Sequence, residues 1–308
     1  MDPLIIVFGF FVGLLVGMTG IGGGSIMTPL LILVVGMKPV MAIGTDLAYA
    51  AITKTLGGWR HLRQGTVDIT ISFWLAAGSI PGALAGVWVL ERLHDAYGEN
   101  FDTTVLWIVA AALAVTGIAT LGRALFTVPA DRERETLSLA RKHKLGAVAI
   151  GLAVGFVLGV SSAGSGALIA VGLILVFRLT PRRVVGTDVF HAAMLLWVAS
   201  FAHVVAGNVD FVLTINLLLG SLPGVWIGSG AAVRVPEGVL RPALGIVLCT
   251  ASAGLLIKAG VGIPGPVFAA IPLVLASLAW RLSPGKRLGR KSARPSPVPR
   301  PHPSAQRP

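Results

Sequence analysis

The chain has 308 residues, 55% of them hydrophobic and 12% charged, with a net charge of +12. That much apolar surface exceeds what one water-soluble core buries, whereas a lipid bilayer accepts it, so an all-α, polytopic integral membrane protein is expected. The positive charge lies between apolar segments and in the C-terminal tail, so it reads as topology information and gives no case for a nucleic-acid partner.

The N-terminal stretch MDPLII has no basic n-region and no small-residue cleavage site after it, so the first apolar segment is expected to stay in place as a helix. Apolar segments then run at residues 3–18, 25–37, 41–62, 68–90 and 104–121. The same order recurs at 145–161, 167–179, 184–205, 210–233 and 238–257, and an eleventh segment at 264–280 has no counterpart in the first half. The chain thus divides into a membrane repeat over 3–122, a basic cytoplasmic linker over 123–144, a second repeat over 145–258, an extra transmembrane segment over 259–282 and a basic tail over 283–308. The tail is rich in Pro, Ser, Arg and Lys, a composition that builds no packed core and is expected to be disordered.

The two repeats are copies. Residues 17–46, running from GMTGIGGGS to AIGTD, align without a gap on residues 159–188, from GVSSAGSGA to VVGTD. Over the pairs from Gly9/Gly151 to Gly86/Gly228 about a third of positions are identical, against roughly a tenth expected by chance for such a composition. Lys and Arg stay in the cytoplasm, which places the 123–144 linker and the tail inside. If each segment, or each hairpin of two short ones, changes sides in turn, Arg60, Arg63, Arg178, Arg182, Arg183, Arg234 and Arg281 also fall inside. Asp2, Lys38, Lys258 and the acidic loop of Glu91, Asp95, Glu99 and Asp102 fall outside, which puts the N-terminus in the periplasm. Five elements per repeat is an odd number, so the repeats are expected to have inverted topology. Counting each interrupted pair as one crossing gives parallel repeats, at the cost of placing several of those arginines outside.

The first two segments of each copy are short for a bilayer core of about 30 Å, and small residues separate them. Non-helical backbone at that depth survives only against protein or water. Re-entrant-like breaks are therefore expected at Gly22, Gly23, Gly24 and Ser25, and at Ser162, Gly164, Ser165 and Gly166. A helix starting at such a break presents unpaired N–H groups and a positive dipole end, a binding site for an anion made without a cationic side chain. The spacings Gly13/Gly17, Gly78/Gly82/Gly86 and Gly220/Gly224/Gly228 read instead as helix-packing seams.

Each copy also carries G-T-D near the start of its third segment. Thr45 and Thr187 are either substrate ligands or helix caps; Asp46 and Asp188 are either caps or proton-coupling carboxylates. Asp68 and Asp210 follow short turns and read as N-caps of the fourth helices. Lys54 attracts an anion or snorkels to the cytoplasmic surface, and snorkelling is the preferred reading. His61 and His203 match across the copies at helix ends near water, in structural roles. Pro81 and Pro223 lie inside the fourth helices and are expected to kink them, and the tryptophans read mostly as interfacial anchors. There is no G-x-S-x-G, H-E-x-x-H or Walker A motif and no metal-ligand spacing, so neither an enzyme nor a cofactor or metal is expected.

The duplicated Gly-rich stretch, followed by Pro39…Gly44-Thr45-Asp46 or Pro181…Gly186-Thr187-Asp188, and then by Gly78-Ser79-Ile80-Pro81-Gly82 or Gly220-Ser221-Leu222-Pro223-Gly224, resembles the sulfite exporter TauE/SafE family of permeases. The likeness covers nearly all of the chain before the tail. It implies a bacterial inner-membrane carrier for a small anion such as sulfite or an organosulfur anion. The second copy departs from the first with G-S-G in place of G-G-G, and the eleventh segment and tail lie outside the shared pattern.

Overall fold

The computed structural model describes residues 2–19, 24–125, 140–232 and 237–282, and these form helices joined by short turns. Gly22, Gly23 and most of the 123–144 linker and the 283–308 tail lie outside the described residues. The first copy contributes α1 (Pro3–Thr19), α2 (Gly24–Leu30), α3 (Pro39–Arg63), α4 (Ile69–Tyr97) and α5 (Phe101–Leu125). The second contributes α6 (Arg141–Ser161), α7 (Ser165–Gly172), α8 (Pro181–Val205), α9 (Phe211–Ala232) and α10 (Glu237–Lys258), and α11 (Gly265–Leu282) follows. Apolar stretches long enough to cross a membrane occur at Ile69–Gly122, a hairpin of α4 and α5, and at Arg141–Ser161, Arg182–Val205 and Phe211–Gly228.

The short second element has the same form in both copies. α2 and α7 each run into a π-helical turn, Leu31–Val35 and Leu173–Phe177, at equivalent positions. Each turn then ends on a left-handed residue, Gly36 at φ 81° and Arg178 at φ 53°. The second costs about 1 kcal/mol for a residue that has a Cβ. A proline, Pro39 or Pro181, then opens the next helix at a position where its missing N–H costs nothing. At about 1.5 Å per residue α2 with its turn rises about 18 Å, well short of the bilayer core.

Glycine seams set the helix pairing. A Cβ on Gly78, Gly82 or Gly86 of α4 would run into the backbone of Val148, Leu152 or Phe156 on α6, and one on Gly151, Gly155 or Gly159 of α6 into Leu75, Ser79 or Ala83. The same seam joins α1 to α9, where Gly9 and Gly13 face Leu217 and Ser221, and Gly220, Gly224 and Gly228 face Ile6, Phe10 and Leu14. Residue numbers rise together along both seams, so α4 runs parallel to α6 and α1 parallel to α9. Each is a contact between copies, and the backbones approach this closely because a glycine without a Cβ faces the other helix at each contact.

The remaining pairs run the other way. Gly57 and Gly58 of α3 face Val189, Phe190 and Ala193 near the start of α8, while Gly44 near the start of α3 faces His203 near the end of α8. On α5 and α10, the Ser252 hydroxyl donates to the Ala110 carbonyl at 2.7 Å, while Gly117, further along α5, meets Gly245 and Cys249, earlier on α10. α3 and α8 are therefore antiparallel, as are α5 and α10. The main buried core draws on α1 to α6 and α8 to α10, and a second cluster packs Ile71 and Leu75 of α4 against α6, α7 and α8, so each core is built from both copies.

Candidate functional site

α3 begins at Pro39 and α8 at Pro181, so the two G-T-D motifs lie well inside their helices and cap neither of them. Thr45 and Thr187 reach across to the other copy. The Thr45 hydroxyl accepts a hydrogen bond from the Asp210 backbone N–H at 3.0 Å, and the Thr187 hydroxyl accepts from that of Asp68 at 2.9 Å. Asp68 and Asp210 in turn cap α4 and α9, with Oδ1 accepting from Ile71 N–H at 3.0 Å and from Leu213 N–H at 2.9 Å, as the turn sequences predict.

Asp46 is 0% exposed. Its Oδ2 accepts from the Thr28 hydroxyl at 2.6 Å and the Ser162 hydroxyl at 2.5 Å, and those two hydroxyls lie 2.7 Å apart. Thr28 comes from α2, while Ser162 closes α6 in the left-handed conformation, at φ 58°. Close by, the Ser25 hydroxyl accepts from the Gly164 N–H at 3.4 Å, and Gly164 itself sits at φ 101°. The interrupted segments of the two copies thus touch each other directly, through Ser25 and Thr28 on one side and Ser162 and Gly164 on the other. Gly24 opens α2, Ser165 opens α7 and Gly166 follows buried in its first turn.

Lys54 does not snorkel. It is 4% exposed and lies within electrostatic reach of Asp188 and, more weakly, of Asp46. The reason is helical spacing: Asp46, Ala50 and Lys54 recur every four residues on one face of α3, and that face is the buried one. His203 also departs from expectation. It is 0% exposed, with Nε2 3.1 Å from the Gly159 carbonyl, so that nitrogen is the donor. His61 is only half-buried, with Nδ1 3.0 Å from the Thr66 hydroxyl.

Two polar residues escaped the sequence reading. His191, fully buried on α8, has Nε2 2.8 Å from the Ser79 hydroxyl of α4. Its counterpart in the first copy, Tyr49, places its hydroxyl beside Ser221 of α9 without hydrogen-bond geometry. Both follow their aspartates by three residues, a spacing that puts them on the same helix face. The signal was present in the sequence.

A cavity of about 550 Å³ opens at the end of the bundle where α3 and α5 begin and α4 and α8 finish. Its lining includes Lys38, Glu91, Asp95, Glu99, Asp102 and Asn208, and Thr45 lies about one turn deeper along α3 than Val40 and Met41, which also line it. Among the described residues no group of three His, Cys, Asp or Glu side chains is placed to hold a metal ion.

The family profile described as sulfite exporter TauE/SafE matches residues 5–255. The chain is 38% identical to the "Probable membrane transporter protein YjnA" of Bacillus subtilis (strain 168), over 76% of this chain and 91% of that protein. It is 31% identical to the "Probable membrane transporter protein YdhB" of the same organism, over 82% of this chain and 99% of that protein. A "Probable membrane transporter protein" of Xylella fastidiosa (strain 9a5c) is 27% identical over 73% of this chain and 83% of its own length. No solved structure matches. The chain is a multi-pass membrane protein that belongs to the sulfite exporter TauE/SafE family, a family of transporters and not of enzymes.

Proposed function

We propose that this protein is a secondary carrier that exports a small anion, such as sulfite, a sulfonate or a carboxylate, across a bacterial inner membrane. The observation that carries the reading is the meeting of the two interrupted segments at Thr28–Ser162 and Ser25–Gly164. Helix starts and loosened backbone converging from two repeats make a site in which amide hydrogens hold an anion. In this reading Gly22, Gly23, Gly24 and Ser25 with Thr45 form one half of the substrate site, and Ser162, Gly164, Ser165 and Gly166 with Thr187 form the other. Lys54 supplies the positive charge of the site, and in a proton-coupled cycle Asp46 and Asp188 are the candidate carboxylates.

The repeats in this reading are inverted, with the N-terminus periplasmic and the linker and tail cytoplasmic. Support comes from the antiparallel course of α3 against its copy α8 and of α5 against its copy α10. Equivalent residues also touch across those pairs: Trp197 Nε1 donates to the Thr55 hydroxyl at 2.8 Å, and Ser252 to the Ala110 carbonyl. Equivalent residues of antiparallel helices meet only on a twofold axis perpendicular to the helices, which for a membrane bundle lies in the bilayer plane.

Export follows from charge. A potential negative inside favours anion exit by about 2.3 kcal/mol per charge per 100 mV, so outward flux requires no coupling ion. The carboxylates lining the cavity at the periplasmic end of this topology lower the local anion concentration there, which disfavours entry from that side. The test is flux of labelled sulfite, sulfonates and carboxylates in proteoliposomes, with Ser25→Ala and Thr45→Ala alongside the native chain. Saturable counterflow is expected for a carrier and absent for a channel. If neither substitution alters the transport of any anion, the site is misplaced.

A further inference from the structure

The oxygen triangle at Asp46 has one more contact than its hydroxyls have protons. Asp46 Oδ2, Thr28 Oγ1 and Ser162 Oγ lie pairwise at 2.6, 2.5 and 2.7 Å, three hydrogen-bond distances that need three hydrogens. The two hydroxyls supply two. If both point at an ionised carboxylate, the Thr28–Ser162 contact brings two bare oxygens together. A proton on Oδ2 closes a ring instead: the carboxyl donates to Thr28, Thr28 to Ser162, and Ser162 back to Oδ2. The other oxygen, Oδ1, is buried and makes no hydrogen bond of good geometry among the described residues, although the Thr28 backbone N–H lies near the carboxyl; as a neutral carbonyl this costs less than as half of an anion.

Charge balance points the same way. Lys54 is one buried ammonium facing two buried carboxylates, and its stronger partner is Asp188. With Asp46 neutral, Lys54 and Asp188 cancel. Other titratable groups facing this region are Tyr49 on α3 and His191 and His203 on α8. α2, the π turn and α9 carry none, α5 has only Asp102, at its far end, among its described side chains, and the Arg141, Lys142, His143 and Lys144 of α6 lie at the end away from Ser162; from α10, Lys258 donates to the Ile32 carbonyl of the π turn.

Resting on the transport site above, we propose that Asp46, Thr28 and Ser162 share one proton as a latch, which holds the direct Thr28–Ser162 contact between the two interrupted segments while Asp46 is protonated and opens that contact when it loses the proton, both hydroxyls then turning to the carboxylate. The latch belongs to Asp46 alone. The position equivalent to Thr28 is Ala170 and that equivalent to Ser162 is Gly20, neither of which carries a hydroxyl. The two G-T-D carboxylates therefore divide the work, one carrying the proton and one balancing Lys54.

Infrared spectroscopy of the full chain in lipid nanodiscs at neutral pH tests this, using aspartate labelled with ¹³C at the side-chain carboxyl. A protonated aspartic carbonyl band is expected in the native chain and lost in Asp46→Asn. If the native chain shows only ionised aspartate bands, or if the protonated band persists in Asp46→Asn, the latch is overturned; the first outcome needs no variant to fold. The spectrum requires no substrate, so a chain that shows the band but transports no anion would overturn the carrier reading and leave the latch standing.

Discussion

The Thr45 hydroxyl of α3 holds the Asp210 backbone N–H at the start of α9, and the duplicated pair, Thr187 and Asp68, repeats the contact with the copies exchanged. One threonine per copy therefore ties the third helix of that copy to the turn before the fourth helix of the other. Valine has nearly the same shape but leaves the N–H without its acceptor, a loss of about 1–3 kcal/mol where the group is buried and less where water reaches it. Thr45→Val and Thr187→Val are each expected to lower the thermal unfolding midpoint in detergent, and Thr→Ser at either position to recover most of the loss. The two contacts share no partner, so the double variant should show close to the sum.

The α4–α6 seam gives a sharper contrast. An added Cβ at Gly78 collides with the backbone at Val148, which has no side-chain torsion to relieve the clash, whereas one at Gly122 of α5 meets nothing within 4 Å. Gly78→Ala is expected to destabilise the protein by ~2 kcal/mol or more through overpacking, with Gly122→Ala nearly silent. Thermal unfolding of the two purified variants decides it. Equal stability would show that the seam is not a close backbone contact.

How much of this the sequence carried depends on the range of each interaction. The glycine seams, the caps at Asp68 and Asp210 and the boundaries of most apolar segments rest on spacing within one helix or one turn, and they were legible. Thr45, Thr187 and Lys54 were not. Their roles depend on which element of the other copy stands opposite, and a duplicated sequence fixes equivalence without fixing contact. Of the two readings of Thr45, ligand or cap, the cap assumed its own helix because caps are local; its hydroxyl instead accepts from Asp210 at the start of α9, far along the chain. Lys54 looked amphipathic at a helix end, while the carboxylate beside it, Asp188, lies in the other half. The Asp46 triangle was hidden for the same reason, since Thr28 and Ser162 come from different breaks.

Lys54 is the buried cation between two buried carboxylates, so removing it strands negative charge. Lys54→Met is expected to cost ~3–5 kcal/mol, the range for breaking one partner of a buried pair. Neutralising the stronger partner as well, in Lys54→Met with Asp188→Asn, should restore much of the stability; adding Asp46→Asn to Lys54→Met instead should restore less, because Asp188 then remains charged. Chemical denaturation of the four proteins in one detergent supplies the comparison. Equal rescue by both asparagines would mean that Lys54 makes no distinction between the two carboxylates.

Lys38 opens α3 and Arg182 lies in the first turn of α8, so the antiparallel course of these helices puts the two residues at opposite ends of the bundle. Lys38 lines the cavity together with Asn208, which follows the end of α8, and this fixes it at the end away from Arg182. Both side chains are exposed, so each position accepts a thiol. Cys249 is half-buried against Gly117 and is replaced by alanine as background. In right-side-out vesicles a membrane-impermeant maleimide is expected to label Lys38→Cys and spare Arg182→Cys until the membrane is opened, and inverted vesicles should reverse the pattern. Labelling of both from one side would exclude inverted repeats, because no inverted arrangement leaves equivalent helix starts on the same face of the bilayer.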